Sequence, residues 1–234
     1  MASGRSRTTA ATGTAIAVTS KRAGTRRIGN YLVPVEAVFH VPRIAPAARG
    51  PWNAEAEKVA WWDEMSGYGC IIRRSAKNGA LAGFVGVGPD HPLFNFDQRA
   101  IESLGVRIHG GVNYSWPCQE SEPEWRSVCH VGDANRRGQV TARLERTFNQ
   151  PFRHDEMWWV GFSCDQPDDI LPNDKRDYAV ESALDGLSHR IYRDEAFVYE
   201  QCVYLAAQFK AIADNRDPAE VPAPSTTPAT KTER

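Results

Sequence analysis

Apolar and polar positions alternate in several short runs through the middle of the chain, a pattern that predicts β-strands. The clearest case is Cys70–Gly88, where two runs of β-branched and small residues flank the dipeptide Asn-Gly. Asn and Gly tolerate the positive φ angles of tight turns, so we predict a β-hairpin in this segment. Met157–Cys164 is a second strand candidate, because its apolar run MWWVGF ends at polar residues.

Four other runs have less regular patterns. Tyr31–Val41 is rich in β-branched residues but contains Pro34, which suggests an edge strand or an extended arm. Glu55–Glu64 fits either a short helix or a strand, and both readings stay open. Gly105–Trp116 alternates in the manner of a strand, and Trp125–Val131 is a further strand candidate.

Helical periodicity is strongest near the C-terminus, in Asp194–Ala213. There the apolar residues recur at intervals of three and four and form one stripe. The stripe consists of Val198, Cys202, Leu205, Phe209 and Ile212. Asp97–Leu104 predicts one or two further helical turns, with Gly105 as the stop. Strands in the middle, a helix at the end and no βαβ alternation favour an α+β fold, with a mainly antiparallel sheet and a C-terminal amphipathic helix packed on it.

The two ends of the chain differ in composition from its centre. Residues 1–27 contain six Lys or Arg and no Asp or Glu, and we expect a disordered basic arm there. Residues 214–234 are rich in Pro and Thr and lack aromatic residues, so we expect a disordered tail that cannot bury enough surface to fold. A single domain over residues 28–213 is predicted between them.

Overall charge and cysteine usage restrict the function classes. The 28 basic and 29 acidic residues give a net charge of −1, so no global field attracts nucleic acid, although the basic arm allows weak phosphate contacts. The longest apolar runs fall far short of the roughly 20 residues that cross a bilayer, which excludes a membrane partner. Five cysteines and no signal-peptide pattern favour reduced thiols and a cytoplasmic location.

Acid and base chemistry could come from one histidine and the carboxylates that follow the Met157–Cys164 run. His109 is followed by Gly110 and Gly111, which would let a ligand approach closely, and we take Asp165 and Asp169 as its candidate partners. A carboxylate fixes the tautomer of a histidine and raises its basicity. The alternative is a surface histidine and a solvated, Asp-rich turn.

A metal site is a second candidate for the chemistry of this chain. Cys118, Cys129, His130 and Cys164 supply three thiols and an imidazole, which is a ligand set that a zinc ion takes. No CxxC pair occurs in the chain, so core or scattered cysteines are the alternative. Trp158 and Trp159 belong to the core by default, but they could also form a stacking wall for a planar ligand.

Several segments resemble an uncharacterised protein family that is common in bacteriophages, prophages and bacterial genomes. The segments are GFVGVGPDHPLF, IHGGVNYS, VCHV, WWVGFSCDQPDD and YRDEAFVYEQCVYLAAQF. They span roughly Val59–Phe209 in the order of the family pattern. The resemblance implies a small phage-type protein without a defined activity. Two positions depart from the pattern: Ser163 replaces the usual Asp, and Gln166 replaces the usual His.

The sequence therefore leads to two functional hypotheses. The first is a phage-type accessory protein with a hydrolase-like, metal-binding or small-ligand site where the predicted HGG strand meets the end of the GFSC strand. The second is a non-catalytic interaction module that binds a host protein or nucleic acid. The departures at Ser163 and Gln166 favour the second, and a short distance from His109 to a carboxylate would favour the first.

Overall fold

The computed structural model describes residues 19–119, 122–129, 156–174 and 190–225. Within these ranges seven strands form one antiparallel sheet in the order β1-β2-β3-β4-β5-β7-β6. The strands are β1 (Thr19–Ile28), β2 (Tyr31–His40), β3 (Lys58–Asp63), β4 (Tyr68–Arg74), β5 (Leu81–Val87), β6 (Tyr114–Pro117) and β7 (Trp158–Ser163). The helices are α1 (Gln98–Ser103) and α2 (Glu195–Ala213), and two short 3-10 helices cover Pro51–Ala54 and Pro218–Glu220.

Helix α2 packs on one face of this sheet, which confirms the α+β fold class. Its stripe residues Val198, Cys202, Leu205 and Phe209 are buried, and α2 contacts β4 and β5. Gly83 of β5 makes this contact close, because any side chain there would collide with the Cys202 thiol. The helix begins as predicted, with the Asp194 carboxylate accepting the Phe197 N–H at 2.8 Å.

The predicted hairpin and the predicted MWWVGF strand are both present. Strands β4 and β5 pair from Gly69↔Gly86 to Arg74↔Leu81, and Gly79 in their turn has a φ of +77°. Strand β7 pairs with β5 on one side and with β6 on the other. The segment with open alternatives, Glu55–Glu64, contains strand β3.

The expectation that Pro34 marks an edge strand or an arm is wrong. Strand β2 lies between β1 and β3 inside the sheet. Its pairing with β3 extends from Val35↔Trp61 to Phe39↔Lys58, so Pro34 lies beyond the end of that ladder. Pro34 faces Thr25 of β1, and its missing N–H costs no ladder bond on the β3 side, where it has no partner.

Order extends further at both ends than composition indicates. Residues 19–27 belong to β1, so the disordered arm predicted up to residue 27 is wrong for them. The ladder with β2 compensates for their polar composition, and Arg26 forms an ion pair with Glu195 at 2.8 Å. The predicted disordered tail is wrong at 218–220, where a 3-10 turn buries Pro218. Residues 1–18 and 226–234 lie outside the described residues.

Two predicted strands consist mostly of turns, and the predicted Gly105–Trp116 strand is a strand only from Tyr114, where β6 begins. Gly110 and Gly111 have φ angles of +67° and +82°, which a regular strand cannot contain, so the predicted HGG strand is a turn that leads into β6. The described part of Trp125–Val131 also forms turns rather than a strand. Alternating composition favours a strand only where a neighbouring strand is available to complete the ladder.

A disulfide joins Cys118 and Cys129, whose Cα atoms are 4.9 Å apart. The prediction of reduced thiols is therefore wrong for these two residues, while Cys70, Cys164 and Cys202 are free and buried. The buried Lys58 ammonium also holds this disulfide loop, because it donates to the carbonyl oxygens of Glu124 and Ser127 at 2.6 and 2.9 Å.

In the ranges that the structure describes, no helix has the length and apolar character of a membrane span.

Candidate functional site

The turn after β7 brings Asp169 against the segment that leads into α2. Ile170 N–H donates to the Ile191 carbonyl at 3.1 Å, and Ile191 N–H donates to the Asp168 carbonyl at 3.0 Å. Asp169 and Ile191 thereby form an isolated parallel bridge. This backbone pairing places the Asp169 carboxylate beside the side chains that precede and begin the helix.

The Asp169 carboxylate is fully buried and accepts three hydrogen bonds. His109 Nε2 lies 2.7 Å from Oδ2, and Arg193 Nε lies 2.9 Å from Oδ1. The Gln166 N–H also donates to Oδ2 at 3.0 Å. We call His109, Asp169 and Arg193 the open cluster, because the side chains of His109 and Arg193 remain 15% and 20% exposed.

The hydrogen bonds of the open cluster keep Asp169 ionised. Burial by itself raises the pKa of this carboxyl, but the bonds from His109, Arg193 and the Gln166 N–H lower it, and the net pKa lies below its ordinary value. An ionised carboxylate can only accept hydrogen bonds. His109 Nε2 therefore carries the proton in the bond to Asp169.

His109 is held in place by its loop and by α2. Its backbone N–H donates to the Gln201 side chain at 3.2 Å, and its ring meets the Phe197 ring edge-on with centroids 5.2 Å apart. The turn at Gly110 is needed for this position, because a side chain there would collide with Gln166. Nδ1 of His109 has no hydrogen-bond partner among the residues that the structure describes.

The structure does not bring Asp165 into the open cluster. Asp165 is exposed, accepts a hydrogen bond from the Ser163 hydroxyl, and accepts another from Asn78 Nδ2 at 3.2 Å. Asn113 Nδ2 donates to the same Ser163 hydroxyl. Gln166 Nε2 donates to the Ser163 carbonyl at 3.2 Å, so both residues that depart from the family pattern make local contacts at the end of β7.

The predicted zinc ligands are not assembled. Cys118 and Cys129 are consumed by their disulfide, and Cys118 packs under the sheet face that carries Trp159. Cys164 is buried on the opposite face, with the residues that contact α2. His130 lies outside the described residues, and the described ones contain no group of three His, Cys, Asp or Glu that could hold a metal ion.

Cys164 and Trp159 belong to the packed interior, and Trp158 is half-buried against it. Burial raises the pKa of the Cys164 thiol well above its ordinary value, which disfavours the nucleophilic thiolate. Trp159 is fully buried and therefore offers no ring face to a ligand. Trp158 packs on the α2 side, where its Nε1 donates to the Ser115 hydroxyl at 2.8 Å.

Sequence reasoning missed a second group of charged residues. Arg74 Nη2 and Glu55 Oε2 are 2.7 Å apart, and the Arg74 side chain is fully buried. Glu55 also accepts the Tyr192 hydroxyl and the Glu195 N–H, the latter at 2.9 Å. We call Glu55, Arg74 and Tyr192 the closed cluster. Each cluster contains one residue just before α2, Tyr192 in the closed cluster and Arg193 in the open cluster. The only sequence signal for these two residues was the YRD motif.

A surface depression of about 360 Å³ lies away from both clusters, next to the C-terminal half of α2. Asp63 and Asp217, two of its carboxylates, already cap local turns, since they accept the Ser66 N–H at 2.9 Å and the Ala219 N–H at 2.8 Å. His109 and Asp169 do not line it. The open cluster is the stronger candidate site, because it combines an ionised buried carboxylate with a partly exposed imidazole.

Comparison of the chain with protein-family models, with curated proteins and with solved structures gives no match. Membership of the phage family therefore stays a prediction. A proposal for function depends on the geometry of His109, Asp169 and Arg193.

Proposed function

We propose that this chain is a phage-type accessory protein with a hydrolase-like site that accepts a small ligand, in which His109 is the general base. The observation that carries the proposal is the 2.7 Å hydrogen bond between His109 Nε2 and the buried Asp169 carboxylate. A buried carboxylate of this kind orients an imidazole and stabilises the imidazolium that forms during proton transfer.

The proton positions follow from this bond. Nε2–H donates to Asp169, so the lone pair of the neutral ring lies on Nδ1, which has no hydrogen-bond partner among the described residues. Nδ1 takes a proton from a water molecule as that water attacks an acyl carbon of the ligand, and the imidazolium later returns the proton to the leaving group. Arg193 keeps Asp169 ionised and in position through this cycle.

Hydrolysis of 4-nitrophenyl acetate tests the base. We expect His109→Gln to lower the protein-dependent rate by about 10²-fold or more, because a positioned general base contributes about 10²–10⁴-fold. His40→Gln is the matched control, since His40 is an exposed histidine on β2, and three strands separate β2 from β7, the strand that precedes Asp169. Equal rates in the two variants would contradict the proposed role of His109.

An interaction module is the second candidate function, and one exposed side chain favours it. Trp116 is 62% exposed although it is a large aromatic residue. It lies on β6, which pairs with β7 and has no second partner strand in the part of the chain that the structure describes. Exposed Trp residues and open strand edges are common contact points for protein partners, so a host protein is the partner this surface fits.

The nucleic-acid form of this second function can be separated from the protein form. Four of the six basic residues of the predicted arm lie in β1, which begins at Thr19, so the segment 1–18 contributes Arg5 and Arg7. Titration of labelled single-stranded DNA with the full chain and with a chain that lacks residues 1–18 tests them. Identical, salt-insensitive results would remove the nucleic-acid role.

The cytoplasmic location is likewise a proposal, and the disulfide gives a way to test it. A cytoplasmic chain usually keeps its thiols reduced. Alkylation of Cys118 and Cys129 in intact cells would distinguish the disulfide of the structure from the free thiols expected in the cytoplasm.

A further inference from the structure

We propose that Arg193 forms an oxyanion subsite next to His109, so that the ligand of this site carries a carboxylate or a phosphate group. This inference rests on the proposed function, because it assigns a ligand class to the same site. It concerns binding, however, and does not depend on whether His109 transfers a proton.

The guanidinium of Arg193 uses only part of its hydrogen-bonding capacity. Nε donates to Asp169 Oδ1 at 2.9 Å, and this is the one hydrogen bond that its side chain makes to the described residues. The two Nη groups are left without a partner there, on a side chain that is 20% exposed. Arginine has five N–H donors in a rigid plane, so four of them remain for a ligand.

Two contacts place Arg193 and His109 side by side. The two side chains bind opposite oxygens of the same Asp169 carboxylate. They also pack on the same Phe197 ring, with the Arg193 guanidinium 4.7 Å from its centroid and the His109 ring centroid 5.2 Å away. A ligand that reaches Nδ1 of His109 is therefore close to the Nη groups of Arg193.

The charge around this point favours an anion. Among the described residues, Asp169 is the one carboxylate that pairs with His109 and Arg193, and its side chain is fully buried. The nearby Asp194 carboxylate caps α2, and Glu195 is paired with Arg26. A planar guanidinium whose two Nη groups have no partner among the described residues matches the geometry of a carboxylate or a phosphate, which it can bind through two parallel hydrogen bonds.

Binding of inorganic phosphate and of acetate at constant ionic strength tests the subsite, with calorimetry and with NMR shifts of the Arg193 side chain. We expect saturable binding of at least one anion. The anion with the higher affinity shows whether the ligand carries a phosphate or a carboxylate group. Arg193→Gln should weaken this binding about tenfold or more, because a hydrogen bond to a charged group contributes roughly 1.5–3 kcal/mol.

Two further variants make the result specific. Arg193→Lys keeps a positive charge that can reach Asp169 but lacks the planar pair of Nη groups, so we expect intermediate affinity and a folded protein. Arg216→Gln is the matched control, because Arg216 is an exposed arginine bound to Asp214 in the C-terminal segment, and it should bind as the unchanged chain does. Absence of saturable binding, or equal affinity in Arg193→Gln and Arg216→Gln, would overturn the subsite.

The test is separable from the test of the base. 4-Nitrophenyl acetate is uncharged and does not need an oxyanion subsite, whereas phosphate binding needs no proton transfer. If His109→Gln loses hydrolysis and the unchanged chain binds no anion, the general-base role of His109 is supported and the Arg193 subsite is overturned. Anion binding that depends on Arg193, with unchanged hydrolysis in His109→Gln, would have the opposite meaning.

Discussion

The closed and open clusters hold the start of α2 on the sheet from two sides, and they differ in access to solvent. In the closed cluster, the Arg74 guanidinium is fully buried, Nη2 binds Glu55, and Nη1 donates to the Gly79 carbonyl at 2.8 Å. In the open cluster, the carboxylate of Asp169 is buried, but both of its side-chain partners reach the surface.

This difference separates a structural role from a chemical one. A fully buried ion pair fixes the relative position of the elements it joins but adds little net stability, because the cost of desolvation offsets most of the attraction. Nε of Arg74 is also buried without a hydrogen bond, at 3.9 Å from Glu57 Oε1, and no ligand can reach it. In the open cluster the side chains of His109 and Arg193, which have nitrogen atoms without a partner among the described residues, are partly exposed to a ligand.

The largest expected effect is on stability, at the closed cluster. Arg74→Leu should lower the free energy of unfolding by about 3–5 kcal/mol, because it leaves the Glu55 carboxylate buried without its cation. Urea unfolding at neutral pH measures this change. Adding Glu55→Gln to Arg74→Leu removes the unpaired charge and should recover part of the loss. A loss below about 1 kcal/mol in Arg74→Leu would place the closed cluster in the same class as an exposed ion pair.

A smaller loss is expected at the open cluster. Asp169→Asn should lower the free energy of unfolding by about 2 kcal/mol. The amide oxygen can still accept one hydrogen bond, but the amide NH₂ faces the N–H of the other partner. The loss is limited because solvent can hydrate the partly exposed His109 and Arg193. Asp165→Asn is the control and should change stability by at most about 0.5 kcal/mol, since Asp165 is exposed. Equal unfolding midpoints in these two variants would remove the energetic distinction.

The smallest effect is the pH dependence of that loss. The pKa of Asp169 in the folded chain lies below its ordinary value, so its contribution to stability is present above the unfolded pKa and is lost as pH falls through the folded pKa. Between about pH 6 and about pH 3, Asp169→Asn should therefore lose less stability than the unchanged chain. Urea midpoints across this range measure the difference, and parallel curves would contradict it.

The pKa of Glu195, next to the closed cluster, is shifted in the direction opposite to that of Asp169. Burial raises the pKa of this carboxyl above its ordinary value, despite the lowering by Arg26. Its contribution is therefore present below the unfolded pKa and is lost as pH rises through the folded pKa. The two regions thus respond in opposite directions to acid, which is why the Asp169→Asn comparison must be made against the unchanged chain.

The parts of the fold that the sequence predicted are those with local signals. The β4–β5 hairpin has an Asn-Gly turn, and α2 has an apolar stripe and an N-terminal Asp. Strand β1 has neither, since its order comes from a ladder with β2 and from the Arg26 contact to Glu195, which is distant in sequence. The two positive φ angles at Gly110 and Gly111 likewise turned an alternating pattern into a loop.

The candidate site divides in the same way. Residue chemistry was enough to pair His109 with a carboxylate, but it could not select Asp169 over Asp165, because the choice depends on the bridge between Asp169 and Ile191. Arg74 was missed because an arginine in a strand is usually solvated, and its burial depends on Glu55 and Tyr192, which lie in other elements. Charged pairs of this kind have no signal in a single sequence.

The position of β7 between β5 and β6 has a consequence for synthesis on the ribosome. Strands β1 to β5 pair in the order in which they are translated, so the nascent chain can assemble them as they emerge. Strand β6 emerges next but must wait, because its partner β7 is encoded later and lies between it and β5. A nascent chain arrested before Met157 lacks the strand with which both β5 and β6 pair, a stage at which chaperone binding would be most useful.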